Sequence, residues 1–294
     1  MSTLFDTIMP KINRTTPDKH KYLQVLSTIQ DAPRRIFFTG TLPPERCPSV
    51  AIIGTRKPTP YGKEVAYRLA FALAQKGIVV VSGLALGIDS IAHRGALEAG
   101  GTTLAVLANS VDHIYPRNHK ALAEQIIASG GAILSEYEPP TEARDFQFLA
   151  RNRIVSGLSD AVVIVEAAAR SGTLNTAGHA VGQGREVFAI PGNITSPLSA
   201  GCNALLKQGA YPATRAEDIL EVIAPQLLRP QPTLPLGHTP LETTIIQLLQ
   251  SGTRDGDALQ QQAGIPATDF NQALTMLEIN GVIRPLGGNQ WTLR

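Results

Sequence analysis

Four segments of this 294-residue chain place glycine, hydroxyl or arginine residues after apolar runs, a combination suited to holding phosphate groups. The most informative one follows Val79–Val81: Ser82–Gly87 leads into an alanine-rich stretch that begins near Asp89. Three β-branched residues predict a buried strand, and Gly83 and Gly87 predict a turn before a helix. The first N–H groups of such a helix and its dipole attract anions. The segment pairs no nucleophile with a base, which favours gripping phosphate over breaking bonds.

A second segment, Ala51–Gly62, contains Gly54 and Arg56 at the end of another predicted strand. A dinucleotide-binding fingerprint would require glycines at positions 54, 56 and 59, but Arg56 and Thr59 stand at the last two. A nicotinamide-dependent oxidoreductase is therefore disfavoured. Arg56 can instead direct a bidentate donor at a phosphate, although a surface arginine paired with a carboxylate would look the same in the sequence.

A third pattern joins an aromatic ring to a cation. Phe148 precedes Arg151 by three positions, so the two side chains share one face of a helix. A ring beside a guanidinium offers a stacking surface and a charge to a single-stranded nucleotide. A core phenylalanine next to a solvated arginine would fit the spacing equally well. We expect the neighbouring Phe146 and Arg153 to serve packing and structural hydrogen bonds.

Two further loops supply hydroxyl and N–H groups. Ser171, Gly172 and Thr173 stand between a strand and a helix, where they can bind phosphate or simply cap the helix. Asn109 and Ser110 follow another predicted strand. Because the carboxyl ends of parallel strands meet at one edge of a sheet, we expect all these loops, Gly83 included, to converge.

Along the chain, apolar runs alternate with segments of helical periodicity, and these elements must position the residues above. The alternation predicts an α/β fold with a Rossmann-like, doubly wound, mainly parallel sheet. The predicted strands are Val50–Ile53, Ile78–Val81, Thr102–Leu107, Ala132–Leu134, Ala161–Val165 and Val187–Ile190. Three short helices and two strands around Gly287-Gly288-Asn289 then predict a small winged-helix domain.

We expect four parts along the chain. Residues 1–48 form an N-terminal lead-in with one helix near 21–30, and residues 49–223 form the Rossmann-like domain. Residues 224–240 contain five prolines and read as a semi-rigid linker, before the winged-helix domain at residues 241–294.

Composition narrows the function classes. The winged-helix part has a net charge of −2 and the first 240 residues carry +4, so a nucleic-acid surface is expected on the large domain. Cys47 and Cys202 lack partners at metal-ligand spacing, which predicts reduced cysteines, no metal site and a cytoplasmic protein. No signal sequence or membrane span is apparent.

In these motifs the chain resembles the DNA-processing protein A (DprA/Smf) family. The resemblance extends over roughly residues 22–223. The segments that match the family motifs are Gly54–Gly62, Ser82–His93, Tyr115–His119, Phe148–Arg153, Ser171–Ala177, Pro191-Gly192 and Gly201–Asn203. The tail is also similar to the family's C-terminal domain. The chain departs from the family pattern at Ala108 and Ser110, often glycines, at Asp145, often basic, and at Leu149, usually proline.

The resemblance implies a binding protein with no enzymatic activity and no cofactor. It implies a homodimer that binds and protects incoming single-stranded DNA, loads the RecA recombinase on it during natural transformation, and helps to displace single-strand-binding protein. Arg56, Phe148, Arg151 and the Ser171–Thr173 loop would contact DNA. Leu205 and Leu206 would contribute to the dimer interface.

Two alternatives belong to other classes. The same loops are similar to those of the lysine-decarboxylase-like phosphoribohydrolases, but that family needs a catalytic Glu close behind its Gly-Gly-x-Gly-Thr motif, and the run Ser171–Thr176 contains no carboxylate. A transcription factor would read duplex DNA through the winged helix. The predicted recognition helix, residues 267–280, has no lysine or arginine, which favours a protein-interaction role for this tail.

Overall fold

Short runs of β-branched and other apolar residues form the central sheet of the molecule. The computed structural model describes residues 11–228 and 239–293, and the chain falls into two compact units, Met1–Leu228 and Arg229–Arg294. The strands of the first unit are β1 (Asn13–Thr15), β2 (Ile36–Gly40), β3 (Ser49–Ile53), β4 (Val79–Ser82), β5 (Thr103–Val106), β6 (Ala132–Ser135), β7 (Ala161–Ile164), β8 (Glu186–Ala189) and β9 (Tyr211–Pro212).

These strands form one sheet in the order β1-β2-β6-β5-β4-β3-β7-β8-β9. The seven strands from β6 to β9 pair in parallel, whereas β1 and β2 add an antiparallel edge. The chain therefore winds outward from β3 in both directions. The predicted doubly wound sheet is confirmed, and β3–β8 lie on the six strands predicted from the sequence.

Helices cover both faces of the sheet: α1 (Pro60–Gln75), α2 (Ile88–Glu98), α3 (Lys120–Ala128), α4 (Asp145–Gly157), α5 (Gly172–Gly182), α6 (Ala200–Lys207) and α7 (Ala216–Ile223). Successive residues of β3 point to opposite faces. Val50 and Ile52 pack against α1, α2 and α7, whereas Ala51 and Ile53 belong to the core beneath α4, α5 and α6. Both faces are thus covered, as the continuous apolar strands predict.

The N-terminal region differs from the sequence prediction. Residues 36–40 are a strand of the sheet, and the helix expected near 21–30 is a 3-10 helix at Gln24–Thr28. Val25, Thr28 and Ile29 are β-branched, which weakens an α-helix, and the tighter turn buries Leu23 and Leu26 in the core. The lead-in is therefore an integral part of the first unit.

The second unit contains α8 (Pro240–Gln250), α9 (Gly256–Ala263), α10 (Ala267–Ile279) and the hairpin β10 (Ile283–Gly287) to β11 (Gln290–Leu293). This is the predicted winged-helix order, with a separate core around Ile245, Leu259 and Leu277. Within the predicted linker, Pro225–Leu227 is a 3-10 turn, while residues 229–238 lie outside the described residues. None of the helices in residues 11–228 and 239–293 is long and apolar enough to cross a membrane.

A fully buried histidine, His93 of α2, lies between this helix and the sheet. The hydroxyl of Thr103 donates to the carbonyl of Val80 at 2.8 Å, so Nδ1 of His93 must donate to that hydroxyl at 2.7 Å. Nε2 of His93 has no hydrogen-bond partner among the described residues. Burial, with further contributions from the nearby His119 and Arg151, lowers the pKa of His93 to about 3.

We expect this histidine to make the first unit acid-sensitive. The unfolded chain takes up a proton near the ordinary pKa of 6.5, whereas the folded chain keeps the ring neutral down to about pH 3. The free energy of unfolding should therefore fall as the pH drops through this interval, by up to about 1.4 kcal/mol per pH unit.

Urea denaturation followed by circular dichroism at a series of pH values measures this slope. His93→Asn keeps a donor for Thr103 but does not titrate, so its stability should depend less on pH than that of the wild type. Equal slopes for the two proteins would show that His93 is not the responsible group.

Candidate functional site

The loops that follow β3, β4 and β7 meet where the winding direction of the sheet reverses. In open α/β sheets this point forms a crevice outside the carboxyl ends of the strands. A cavity of about 560 Å³ lies here. Its lining includes Gly54, Thr55, Arg56, Lys57, Ala85, Asp89, Phe148, Leu149, Arg151, Asn152, Ala168, Arg170, Ser171, Gly172, Thr173 and Thr176.

The cavity has cations available for a ligand. Arg56, Lys57 and Arg170 are exposed, and none of them forms an ion pair with any residue that the structure describes. The Arg56 guanidinium lies 5.4 Å from the centroid of the Phe148 ring. A cation–π contact of this kind is weak at an exposed site, worth about 0.5–1 kcal/mol, so Arg56 can leave the ring at little cost.

The start of α5 adds neutral donors on another wall. Ser171 caps this helix, and its hydroxyl accepts a hydrogen bond from the N–H of Thr173 at 3.2 Å. Gly172 is exposed and begins the helix, where the first N–H groups have no intrahelical acceptor. Ser171, Gly172 and Thr173 thus present a helix N-terminus to the cavity, and such a terminus attracts anions.

Glu166 fixes the loop that carries Arg56. Its carboxylate is buried and accepts from the Thr59 hydroxyl at 2.5 Å and from the Thr59 N–H at 3.0 Å. The carbonyl of Glu166 also accepts from the N–H of Thr55 at 2.8 Å. The sequence analysis did not single out Glu166, because no spacing pattern relates it to a threonine 107 positions earlier.

Arg151 differs most from its predicted role. Its side chain is buried, and Nη1 donates to the carbonyls of Gly83, at 2.8 Å, and of Val106. Burial lowers the pKa of Arg151, an effect that the nearby Asp89 carboxylate opposes. The guanidinium lines the cavity, but its Nη1 already joins the loop after β4 to the end of β5. Arg151 is thus a clamp between loops rather than a freely available phosphate ligand.

Gly83 also has a structural role and is not exposed to a ligand. Its N–H donates to Oδ2 of Asp89 at 3.0 Å, so this donor is not available to an anion. A Cβ at position 83 would overlap the guanidinium of Arg151. Burial raises the pKa of Asp89, and the charge of Arg151 acts against that shift.

Asn109 and Ser110 do not line the cavity, which corrects their predicted position. Both are buried. The Asn109 amide donates to the carbonyls of Ser110, at 3.0 Å, and of His113. The Ser110 hydroxyl donates to the carbonyl of Thr141 at 2.9 Å and lies 2.7 Å from its N–H. The Asn109 amide nitrogen and the Ser110 hydroxyl are thus engaged by backbone groups of this loop and of the segment around Thr141.

Two aromatic side chains near the cavity are exposed. Phe146 is 63% exposed, so its predicted packing role is wrong, whereas Arg153 is a structural residue as expected and pairs with Glu136 at 2.6 Å. Tyr115 is 49% exposed, and its ring centroid lies 5.6 Å from that of Phe148. The sequence analysis did not predict this contact, because Tyr115 lies 33 positions before Phe148 along the chain.

The structure therefore brings together Gly54, Arg56, Phe148, Arg151, Ser171, Gly172 and Thr173. It leaves Gly83, Asn109 and Ser110 outside the cavity lining. The predicted interface residues Leu205 and Leu206 are half-buried on α6, against the core of the first unit. In the described part of the chain, no group of three or more His, Cys, Asp or Glu side chains could hold a metal ion. The cavity can bind an anion next to a planar ring.

Comparison with protein-family models gives two matches. A model described as DNA recombination-mediator protein A matches residues 13–224. A model described as the DprA winged helix domain matches residues 229–289. The two matched ranges cover most of the described residues of the first and second units.

Curated relatives and solved structures are similar to the chain over most of its length. Protein Smf of Escherichia coli is 36% identical over 286 residues, covering 94% of this chain and 76% of that protein. DNA processing protein A of Streptococcus pneumoniae superposes with a TM-score of 0.67 at 38% identity, covering 74% of this chain and 76% of that one. DNA processing protein A of Helicobacter pylori, whose structure was reported for its single-stranded DNA binding mode, gives a TM-score of 0.62 at 35% identity, covering 72% and 94%.

Arg151 is buried and Arg56 is exposed, and this difference leads to a prediction about stability. Arg151→Met should lower the free energy of unfolding of the first unit by about 3–5 kcal/mol, because it removes the donor of two buried carbonyls and the cation beside Asp89. Arg56→Met should change it by no more than about 0.5 kcal/mol, because Arg56 is exposed. Urea denaturation followed by circular dichroism measures both values.

Trp291 provides an internal control, since it is the single tryptophan and belongs to the core of the second unit. Its fluorescence transition should keep the same midpoint in both variants. If Arg151→Met were as stable as Arg56→Met, the clamp role of Arg151 would be refuted.

Proposed function

The chain belongs to the DNA recombination-mediator protein A family, and on that premise we propose that it binds single-stranded DNA in the cavity at the carboxyl edge of its sheet. The observation that carries the proposal is the Arg56 guanidinium over the Phe148 ring, at the wall of a cavity that also receives the start of α5. The similarity to the Helicobacter pylori protein, with its single-stranded DNA binding mode, supports it.

The arrangement of donors and ring in the cavity matches the phosphates and bases of a nucleotide strand. Phosphates would be held by Arg56 and by the donors of Ser171–Thr173, while a base stacks on Phe148. Such stacking contributes about 1–3 kcal/mol per base. Arg56 has no carboxylate partner among the described residues, so it can turn from the ring to a phosphate without breaking an ion pair.

The expected preference for single-stranded over duplex DNA follows from the ring of Phe148. Phe148 needs the open face of a base, and in a duplex that face is covered by the neighbouring base pair. Contacts to phosphates alone carry little sequence information, so binding should depend weakly on sequence.

Binding rather than catalysis is supported by the carboxylates near the cavity. Glu166 is buried, with its carboxylate engaged by Thr59. Asp89 is buried, and its Oδ2 accepts from Gly83. Glu166 does not line the cavity, and Asp89, which does, is engaged by Gly83 and lies beside the charge of Arg151. We therefore propose that the protein is not an enzyme.

The proposed role of the protein in recombination rests on the family description as a recombination mediator. We propose that the protein is a homodimer that protects incoming single strands during natural transformation and loads RecA on them, displacing single-strand-binding protein. Leu205 and Leu206 remain the proposed dimer contacts. Filament growth by RecA on strands coated with single-strand-binding protein should be faster when this protein is present.

Binding to a labelled single strand should be stronger than to the matching duplex in fluorescence anisotropy at several salt concentrations. We expect a log–log salt slope of about −2 to −3 for the wild type, corresponding to three or four phosphates at roughly −0.7 each. Arg56→Ala should weaken binding of all sequences alike and make the slope less negative by about 0.7, because one phosphate contact is lost.

Lys76→Ala is the matched control, since Lys76 is an exposed cation at the opposite end of α1 with no ion pair in the described structure. It should bind like the wild type. If the wild type bound duplex as well as single strands, or if Arg56→Ala bound like the wild type, this pocket assignment would be abandoned.

If the protein is a dimer, disrupting the dimer should reduce DNA affinity by an amount that depends on the length of the strand. The double variant Leu205→Ser, Leu206→Ser should sediment as a monomer and lose about 100-fold in affinity for a strand long enough to reach two cavities, because avidity is lost. Its affinity for a short oligonucleotide should not change. A wild-type protein that sediments as a monomer would contradict the proposal.

A further inference from the structure

The exposed ring of Tyr115 lies beside the cavity without lining it. Its centroid is 5.6 Å from that of Phe148, and the two ring planes are inclined by 57°. Phe148 itself belongs to the cavity wall and also contacts Arg56. Arg56, Phe148 and Tyr115 therefore form a continuous series from the cavity to its rim.

The loop that carries Tyr115 is held on both sides. Before it, the Asn109 amide bonds to the carbonyl of His113, and Ser110 is tied to Thr141. After it, Nδ1 of His119 lies 2.8 Å from the carbonyl of Leu84, in the loop that follows β4. The predicted contacts Asn109 and Ser110, which do not reach the cavity, thus serve to position this ring.

The hydroxyl of Tyr115 forms no hydrogen bond with any residue in the described ranges, although about half of the side chain is buried against its neighbours. The apolar side chains of Phe146, 63% exposed, and Leu149, 49% exposed, lie on the first turns of α4. Large exposed apolar side chains next to a binding cavity indicate a contact surface. The ring of Tyr115 is therefore partly open to a ligand, and its hydroxyl is not needed to hold the side chain in place.

We propose that Tyr115 is a second base-stacking position, which receives the nucleotide adjacent to the one on Phe148. This inference rests on the proposed single-stranded DNA binding. The 57° inclination means that two neighbouring bases, each parallel to its own ring, cannot stack on one another. The pair of rings would bend and unstack the strand at the cavity rim, which a flexible single strand permits and a duplex resists.

The test uses the full-length chain and a short oligothymidylate, so that one cavity is occupied. Tyr115→Leu removes the aromatic face but keeps an apolar side chain, and it should weaken binding by about 5- to 100-fold. Tyr115→Phe should bind within about twofold of the wild type, because the hydroxyl has no partner. The salt slope should be the same in all three proteins, since no phosphate contact is removed.

Tyr211→Leu is the control for loss of an exposed ring. Tyr211 is 46% exposed and contacts Phe188 at 5.2 Å between ring centroids, but it lies on the edge strand β9. It should bind the oligonucleotide like the wild type. A 2-aminopurine base in the bound oligonucleotide should be quenched more by the wild type than by Tyr115→Leu, because stacking on an aromatic ring quenches its fluorescence.

The binding measurements distinguish failure of the Tyr115 stacking role from failure of the proposed single-stranded DNA binding. If Arg56→Ala loses affinity while Tyr115→Leu binds like the wild type, the cavity binds DNA but Tyr115 is not a stacking position, and its exposed ring would instead fit a protein partner. A less negative salt slope in Tyr115→Leu would also overturn the inference, because the substitution would then have displaced a cation. Absence of single-stranded DNA binding by the wild type would refute the proposed function itself.

Discussion

The buried guanidinium of Arg151 is the constraint on which the candidate site depends. It donates to the carbonyls of Gly83, after β4, and of Val106, at the end of β5, and it neutralises part of the charge of the buried Asp89. Asp89 in turn accepts from the N–H of Gly83. A cation, a carboxylate and two loops thus form one buried network. A buried charge is tolerated only when it is paired and hydrogen-bonded in this way, so each member of the network requires the others.

This network separates fixed charges from available ones. Arg151 and Glu166 use their polar atoms to join loops, whereas Arg56, Lys57 and Arg170 remain exposed and without ion pairs in the described structure. Hydrogen-bonded loops that carry exposed, unpaired cations are suited to a ligand such as a nucleotide strand, whose phosphates are regularly spaced but whose sequence varies. In the proposed complex, the aromatic rings of Phe148 and Tyr115 would supply the contacts that depend on an unpaired base.

The second unit has the opposite electrostatic character. The exposed side of α10 includes Asp269, Gln272 and Glu278, and the helix contains no lysine or arginine. Insertion of such a helix into a duplex groove would bring carboxylates towards phosphates with no neutralising charge. This composition supports a protein-interaction role over a transcription-factor role, and that interaction role stays a prediction.

The sequence by itself determined six of the parallel strands, the helices between them, the winged-helix order and the loops that form the cavity. These features follow from local patterns: β-branched runs, helical periodicity, and glycine or hydroxyl residues at strand ends. Only the tertiary structure decided which arginine is available. Arg56 and Arg151 look equivalent in the sequence, but the carbonyls that hold Arg151 lie 68 and 45 positions away. Burial and polar partners come from distant segments, which is also why Asn109 and Ser110 support a loop and why Glu166 and Tyr115 were not predicted as parts of the site.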